Sequence, residues 1–330
     1  MRRDPLAVSF ALIATLGLIA VAPPAKGQIA WTRFQDPAEQ AFTLQVPRGW
    51  KVVGGLYRFG VLDPRPMTDM TSPDGKTNIR LGDANVPPFT PLTPTLMSLG
   101  WREGRRYSPN GVAQEVVANY RPGWVFADIY GQARFGPLCR NLRLKEMKKV
   151  PPIHENPQAR TTAGEALYAC DSADGPKVAY VFAETQYTPM QSTGVWLVTS
   201  LASFIAPQAQ AGEALKILLH SASTLTISDQ WMAMQLRLEG AAADTAFTQF
   251  KQNMAHEQAH FEQQSAQSQS MVDSMSRALR GVDLTVDPVD GKQREVLSAA
   301  PGVRHWLTPT EQTVNSPIQC PGCRPLNPVR

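Results

Sequence analysis

His256-Glu257-Gln258-Ala259-His260 is the pattern in this chain that carries the most chemistry. Two histidines four residues apart share one face of a helix, where both imidazoles can hold a zinc ion. The glutamate between them can then act as general base toward a metal-bound water. A catalytic zinc needs a third protein ligand, however, and Phe261-Glu-Gln-Gln-Ser-Ala266 supplies no G-x-x-H continuation. At about 100° per residue, His256 and His260 fall on the side of Gln249, Gln252 and Gln263, away from Phe247, Phe250, Met254 and Phe261. The expectation is two solvated histidines on a polar face, with no catalytic residue and no cofactor. A zinc hydrolase using His256 and His260 as ligands and Glu257 as base is the alternative.

Four cysteines are the other reactive groups: Cys139, Cys170, Cys320 and Cys323. Cys320-Pro321-Gly322-Cys323 has Pro-Gly at the centre of a type II turn, which brings the flanking α-carbons within about 7 Å and inside disulfide reach. Pairing these two leaves Cys139 with Cys170. A redox role for the C-x-x-C needs its first thiol at a helix N-terminus. Here Arg324-Pro-Leu-Asn-Pro328 comes next, so a structural disulfide is expected.

Arg140-Asn-Leu-Arg-Leu-Lys-Glu-Met-Lys-Lys149 sets five basic residues against one acidic. As a strand it would show one charged face, which could meet an anionic glycan or an acidic partner. Its plainer meaning is a solvated edge strand guarded by lysines. No Ser-His-Asp set, phosphate-binding glycine loop or paired-carboxylate signature is evident.

These residues must be positioned by elements that the sequence also outlines. Arg2 and Arg3 precede an apolar run from Leu6 to Ala22, then Pro23-Pro24 and the small-residue stretch Ala25-Lys26-Gly27. Residues 1–27 therefore read as an export signal. The expected location is periplasmic or secreted, where disulfides are the default. Beyond the signal no apolar stretch approaches spanning length. Residues 28–330 carry 29 basic and 27 acidic residues, a balance that offers no field for nucleic acid. Twenty-eight prolines favour loops and strand edges.

Strands are expected at 41–46, 51–59, 67–72, 77–81, 138–147, 165–171, 177–186 and 194–205, with helices at 109–120 and 207–218. Pro73-Asp-Gly75 makes a strong hairpin turn. Residues 229–280 contain no proline and one glycine before the final turn, and read as a single long helix. A small β module is expected over 281–310 and a flexible tail over 311–330.

Phe42-Thr-Leu-Gln-Val-Pro-Arg-Gly-Trp50-Lys-Val-Val-Gly-Gly55 resembles the opening hairpin of PsbP-like domains, a family named after an extrinsic photosystem II subunit. The resemblance implies an α+β chain, an α/β/α sandwich around an antiparallel sheet, within a domain spanning 28–228. The family shares no catalytic residue, and its members mostly act as binding or assembly subunits. On that resemblance the chain is expected to be a non-enzymatic exported binding protein whose partner is another protein or an envelope component.

Overall fold

Alternation sets the first strands. Phe42, Leu44 and Val46 of β2 (Phe42–Pro47) are buried on one side, as a period of two requires, and β2 pairs antiparallel with β1 (Trp31–Gln35). The computed structural model describes residues 29–329, apart from 60–63, 109–113, 155, 191–193, 240–242 and 300–302; of 236, 238, 239, 243–251 and 253 it describes the backbone. The expected export signal, residues 1–27, lies outside the described residues.

β3 (Lys51–Arg58), β4 (Pro64–Thr71) and β5 (Asn78–Leu81) form an antiparallel run, with Gly75 at φ +70° in the turn between the last two. The two strands of the expected opening hairpin do not pair with each other, because β2 belongs to a separate three-stranded sheet. They are tied from the side instead. Asp36, buried after β1, accepts backbone N–H bonds from Ala38, Glu39, Ala41 and, in β3, Leu56.

The expected helix at 109–120 is absent where the chain is described. Residues 109–113 lie outside, and Glu115–Val117 is strand β8, held by β6 (Phe89–Thr90) and β7 (Arg106–Tyr107). Val116 and Val117 are β-branched and suit that pairing. Short helix α1 (Pro94–Ser98) is capped by Thr93, whose hydroxyl accepts from Leu96 N–H. The main helix of this region is α2 (Gly123–Phe135), and a Cβ at Gly123 would lie 2.6 Å from the carbonyls of Thr162 and Ala183. Only a glycine lets the helix start so close to the sheet.

β9 (Asn141–Val150), β10 (Arg160–Ser172), β11 (Gly175–Thr188) and β12 (Val195–Pro207) complete a ten-stranded sheet whose main order is β3-β4-β5-β12-β11-β10-β9. The basic strand β9 is its edge. Arg143 bonds Asp171 at 2.6 Å, and the Lys149 ammonium sits 4.5 Å from the Trp124 ring centre. Ala166, Tyr168 and Cys170 of β10 face α2, and Leu167 and Glu165 face the other way.

On that second face pack α3 (Ala211–Ser223), α5 (Ala243–Ala266) and α6 (Ser268–Arg280). β13 (Thr226–Ile227), which pairs with β2, and α4 (Asp229–Glu239), which packs on α5, come between α3 and α5 in the chain. Helices thus cover both faces of an antiparallel sheet, and the class is α+β. The expected single rod over 229–280 is interrupted after α5, the long helix at 24 residues; residues 240–242 lie outside the described residues. Gln267, at φ −94° and ψ 8°, breaks it. The bend lets Val272 of α6 seat on Gly212 of α3 and Met275 bury itself.

β14 (Val282–Val286), β15 (Gln293–Leu297), β16 (Arg304–Leu307), β17 (Thr313–Ser316), β18 (Arg324–Pro325) and β19 (Asn327–Pro328) finish the chain. The tail at 311–330 is not the loose end expected of it. β17 and β18 flank β16, β19 pairs with β14, and Leu326 is buried with Val296 and Leu307. Cys139–Cys170 and Cys320–Cys323 are both joined, with α-carbons 5.4 and 5.3 Å apart.

Candidate functional site

Glu184 stands in a strand whose neighbours Phe182 and Ala183 are apolar, and its side chain is wholly buried. Such a carboxylate survives only if its lone pairs are filled. Four donors do this. The N–H groups of Ile153 and His154 bond one oxygen, and the His154 imidazole Nδ1 and the Thr199 hydroxyl, the latter at 2.8 Å, bond the other. Burial pushes the Glu184 carboxyl up, but the His154 imidazole and the other donors outweigh it and hold it below the ordinary carboxylate range.

The sheet is built to make this possible. Glu184 pairs with Ser200 and Thr185 with Val198, so Thr199 is an extra residue in β12, a β-bulge. The bulge aims the adjacent hydroxyls of Thr199 and Ser200 into one place. Thr199 takes Glu184, and Ser200 donates to Glu257 Oε1 of α5 at 2.7 Å. The other oxygen, Glu257 Oε2, faces His154 Nε2 at 3.9 Å. A chain of polar groups therefore runs Glu184–His154–Glu257–Ser200, buried except at Glu257. Burial pushes the Glu257 carboxyl up, and Ser200 and His154 offset this only in part.

This cluster lines part of a cavity of about 510 Å³ between the sheet and the α3–α5 side. Phe42, Met67, Leu81, Leu201, Met254 and Phe261 are among its apolar walls, and among the described residues His154 and Glu257 are the ionisable groups that line it. α5 is held over it by Phe261, whose ring meets Phe182 edge-on at 6.1 Å, and by Gln258, which donates to the Leu225 carbonyl at 2.6 Å. A smaller space of about 100 Å³ under α6 holds Glu165 beside Tyr180 and Lys148.

The H-E-x-x-H residues are split by this packing. His256 is exposed. Glu257 turns into the cavity, and His260 is half-buried against Phe182 at 6.3 Å, where burial pushes its pKa down. The expected solvated face holds for His256 and fails for His260. The side chains of Phe247, Gln249 and Phe250, on which that expectation partly rested, lie outside the described residues. The motif does not fit a zinc site. Among the described residues no three of His, Cys, Asp and Glu stand together as metal ligands, and the carboxylate meant as general base is engaged by Ser200.

His154, Glu184, Thr199 and Ser200 went unmarked in the sequence. Glu184 had a signal, a lone acid at the end of the apolar run Val178 to Ala183. His154 had none.

A second polar network braces α2 on the opposite face. Arg80 bonds Asp69 and Asp83, Tyr130 donates to Asp83 at 2.7 Å, and Arg134 reaches Asn78. Burial pushes the Tyr130 hydroxyl up to about 12. Each of these residues bonds another of the set, though Arg134 Nε is buried without a hydrogen bond, and the network reads as a brace.

No helix of the described residues is long and apolar enough to cross a membrane. No protein-family model matches this chain, and no curated protein matches it. Among solved structures it is similar to LpqN, involved in cell envelope biogenesis of Mycobacterium tuberculosis. The similarity covers 61% of this chain and 92% of that one at 12% identity, with a TM-score of 0.22.

Proposed function

We propose that this chain is an exported, non-enzymatic binding protein that holds a small amphipathic molecule in the cavity between the sheet and α5. The cavity carries the reading. Its 510 Å³ falls in the roughly 300–1,000 Å³ range of small-molecule sites. Its walls are largely apolar and its two ionisable groups among the described residues, His154 and Glu257, stand 3.9 Å apart, which is the arrangement an amphipathic molecule needs. Two disulfides support export, since thiols stay reduced in the cytosol. The expected signal over residues 1–27 and the resemblance of 42–55 to PsbP-like domains agree with an exported binding role.

Native mass spectrometry of protein taken from the exported fraction should find a bound small molecule. Purified protein should take up an apolar fluorescent probe such as N-phenyl-1-naphthylamine. Ala222→Phe, which places a ring in the cavity, should weaken that uptake in protein that still folds by circular dichroism. Protein that carries nothing and admits no apolar probe sinks the reading, and so does a turnover that Glu257→Gln removes.

A further inference from the structure

The ionisable groups of the cavity specify the kind of head group it will accept. Resting on the binding role above, we infer that the cavity selects an amphiphile whose head donates hydrogen bonds and carries no negative charge, an alcohol or an amine, and discriminates against carboxylates of the same chain.

Charge comes first. Two carboxyl groups, Glu184 and Glu257, flank one imidazole, His154. Glu184 is fully buried and saturated by its four donors, so it is not offered to a ligand. Glu257 lines the cavity, and its side chain keeps 20% exposure. Among the described residues no Lys or Arg lines the same space. An anionic head brought here would add a third acidic group beside Glu184 and Glu257. Like charges so placed oppose binding.

Geometry adds the preference for a donor. Glu257 Oε1 already accepts from Ser200, while Oε2 stands 3.9 Å from His154 Nε2, too far for a direct hydrogen bond. A carboxylate oxygen has more than one lone-pair site, and a hydroxyl or ammonium reaching Oε2 would use one of them. A site built to hydrogen-bond a head group rejects analogues that cannot supply that bond far more strongly than a purely apolar pocket does.

Three probes of one chain length separate the cases: dodecanol, dodecylamine and dodecanoate, each displacing N-phenyl-1-naphthylamine near neutral pH. Dodecanol and dodecylamine should bind, and dodecanoate should be weaker by about tenfold or more, a difference of about 1.4 kcal/mol. Glu257→Gln should narrow the gap chiefly by tightening dodecanoate. Glu257→Asp keeps an acid at this position and should keep the discrimination, which separates charge from general damage to the site. Dodecanoate binding as tightly as the others, or a gap that Glu257→Gln leaves untouched, overturns the head-group inference while the binding role stands. If the apolar reporter never enters, the binding role itself falls and this inference with it.

Discussion

The imidazole of His154 and the carboxylate of Glu257 face each other at 3.9 Å, joining the loop after β9 to the middle of α5. Neither is held by its own element alone. Glu184 clamps His154 through the backbone and the ring, and Ser200 fixes the Glu257 carboxylate. The bulge at Thr199 therefore positions a helix and a loop at once, and the shape of the cavity depends on a buried acid in β11.

Glu184→Gln should be strongly destabilising for that reason. The amide would set an NH2 against at least one of the donors that now point at a carboxylate oxygen. Leaving buried donors without their carboxylate acceptor costs about 1–3 kcal/mol, and more where the acceptor is charged. Denaturant unfolding should show a lowered midpoint at unchanged slope, and apolar probe uptake should fall in the same variant. A variant with wild-type stability would mean that Glu184 is not the clamp.

The two carboxyls should respond to pH in opposite ways. Glu184 has a folded pKa below its unfolded value, so its contribution is present above the unfolded pKa and is lost as pH falls through the folded one. Glu257 has a folded pKa raised above its unfolded value near 4.5, so the folded state binds more protons just above that pH. Its effect on stability turns unfavourable as pH rises from about 4.5 through the folded pKa. Glu257→Gln should therefore gain on wild type in Tm as pH climbs through that window, with a constant difference above it. A Tm difference that is flat with pH would contradict the raised pKa.

Much of the sheet was legible because its strands follow simple alternation or continuous apolar runs, as in Phe42–Val46 and Val178–Ala183. α2 was not. It opens on Gly123 and carries Gly131, Val125 and Ile129, all poor or middling helix formers. Its glycines are there for close approach: a Cβ on Gly131 would meet the Tyr168 ring at 2.6 Å. Packing thus overrode propensity, and the misplaced helix at 109–120 is the result. The site was hidden for a similar reason. Glu257 came to notice through a zinc motif that the packing does not use, and its true neighbours come from β11, β12 and an unpatterned loop. A bulge that aligns two hydroxyls leaves no periodic trace in the residues that make it.

The Cys139–Cys170 disulfide should matter for stability, and the Cys320–Cys323 pair should matter little. Cys170 is buried against α2, and the bond closes a loop with a sequence separation of 31. Constraining that loop in the unfolded chain contributes roughly 3 kcal/mol. Reducing agent should lower Tm in wild type and almost equally in Cys320→Ser/Cys323→Ser, but not in Cys139→Ser/Cys170→Ser. Four free thiols in protein from the exported fraction would count against both the pairing and the export reading.

The last residues should prove integral to the β14–β16 module. Val296, Leu307 and Leu326 form its small core, and one of the three comes from the tail. Asp287 is fully buried at the β14 turn, with Arg324 from the tail at 3.1 Å. Leu326→Ala removes a large share of a very small core and should cost about 2–3 kcal/mol locally. Arg324→Ala leaves the Asp287 carboxylate buried without this cation and should act in the same direction. Because the module has its own cluster, the damage should stay local. Hydrogen exchange should accelerate across Val282–Val286 and Arg304–Leu307 in either variant, while Tyr180–Ala183 in the main sheet keeps its protection. Deleting 311–330 should produce the same pattern more strongly, since it strips both flanking strands from β16. Unchanged exchange at Arg304–Leu307 after that deletion would restore the tail to the loose end that its prolines suggest.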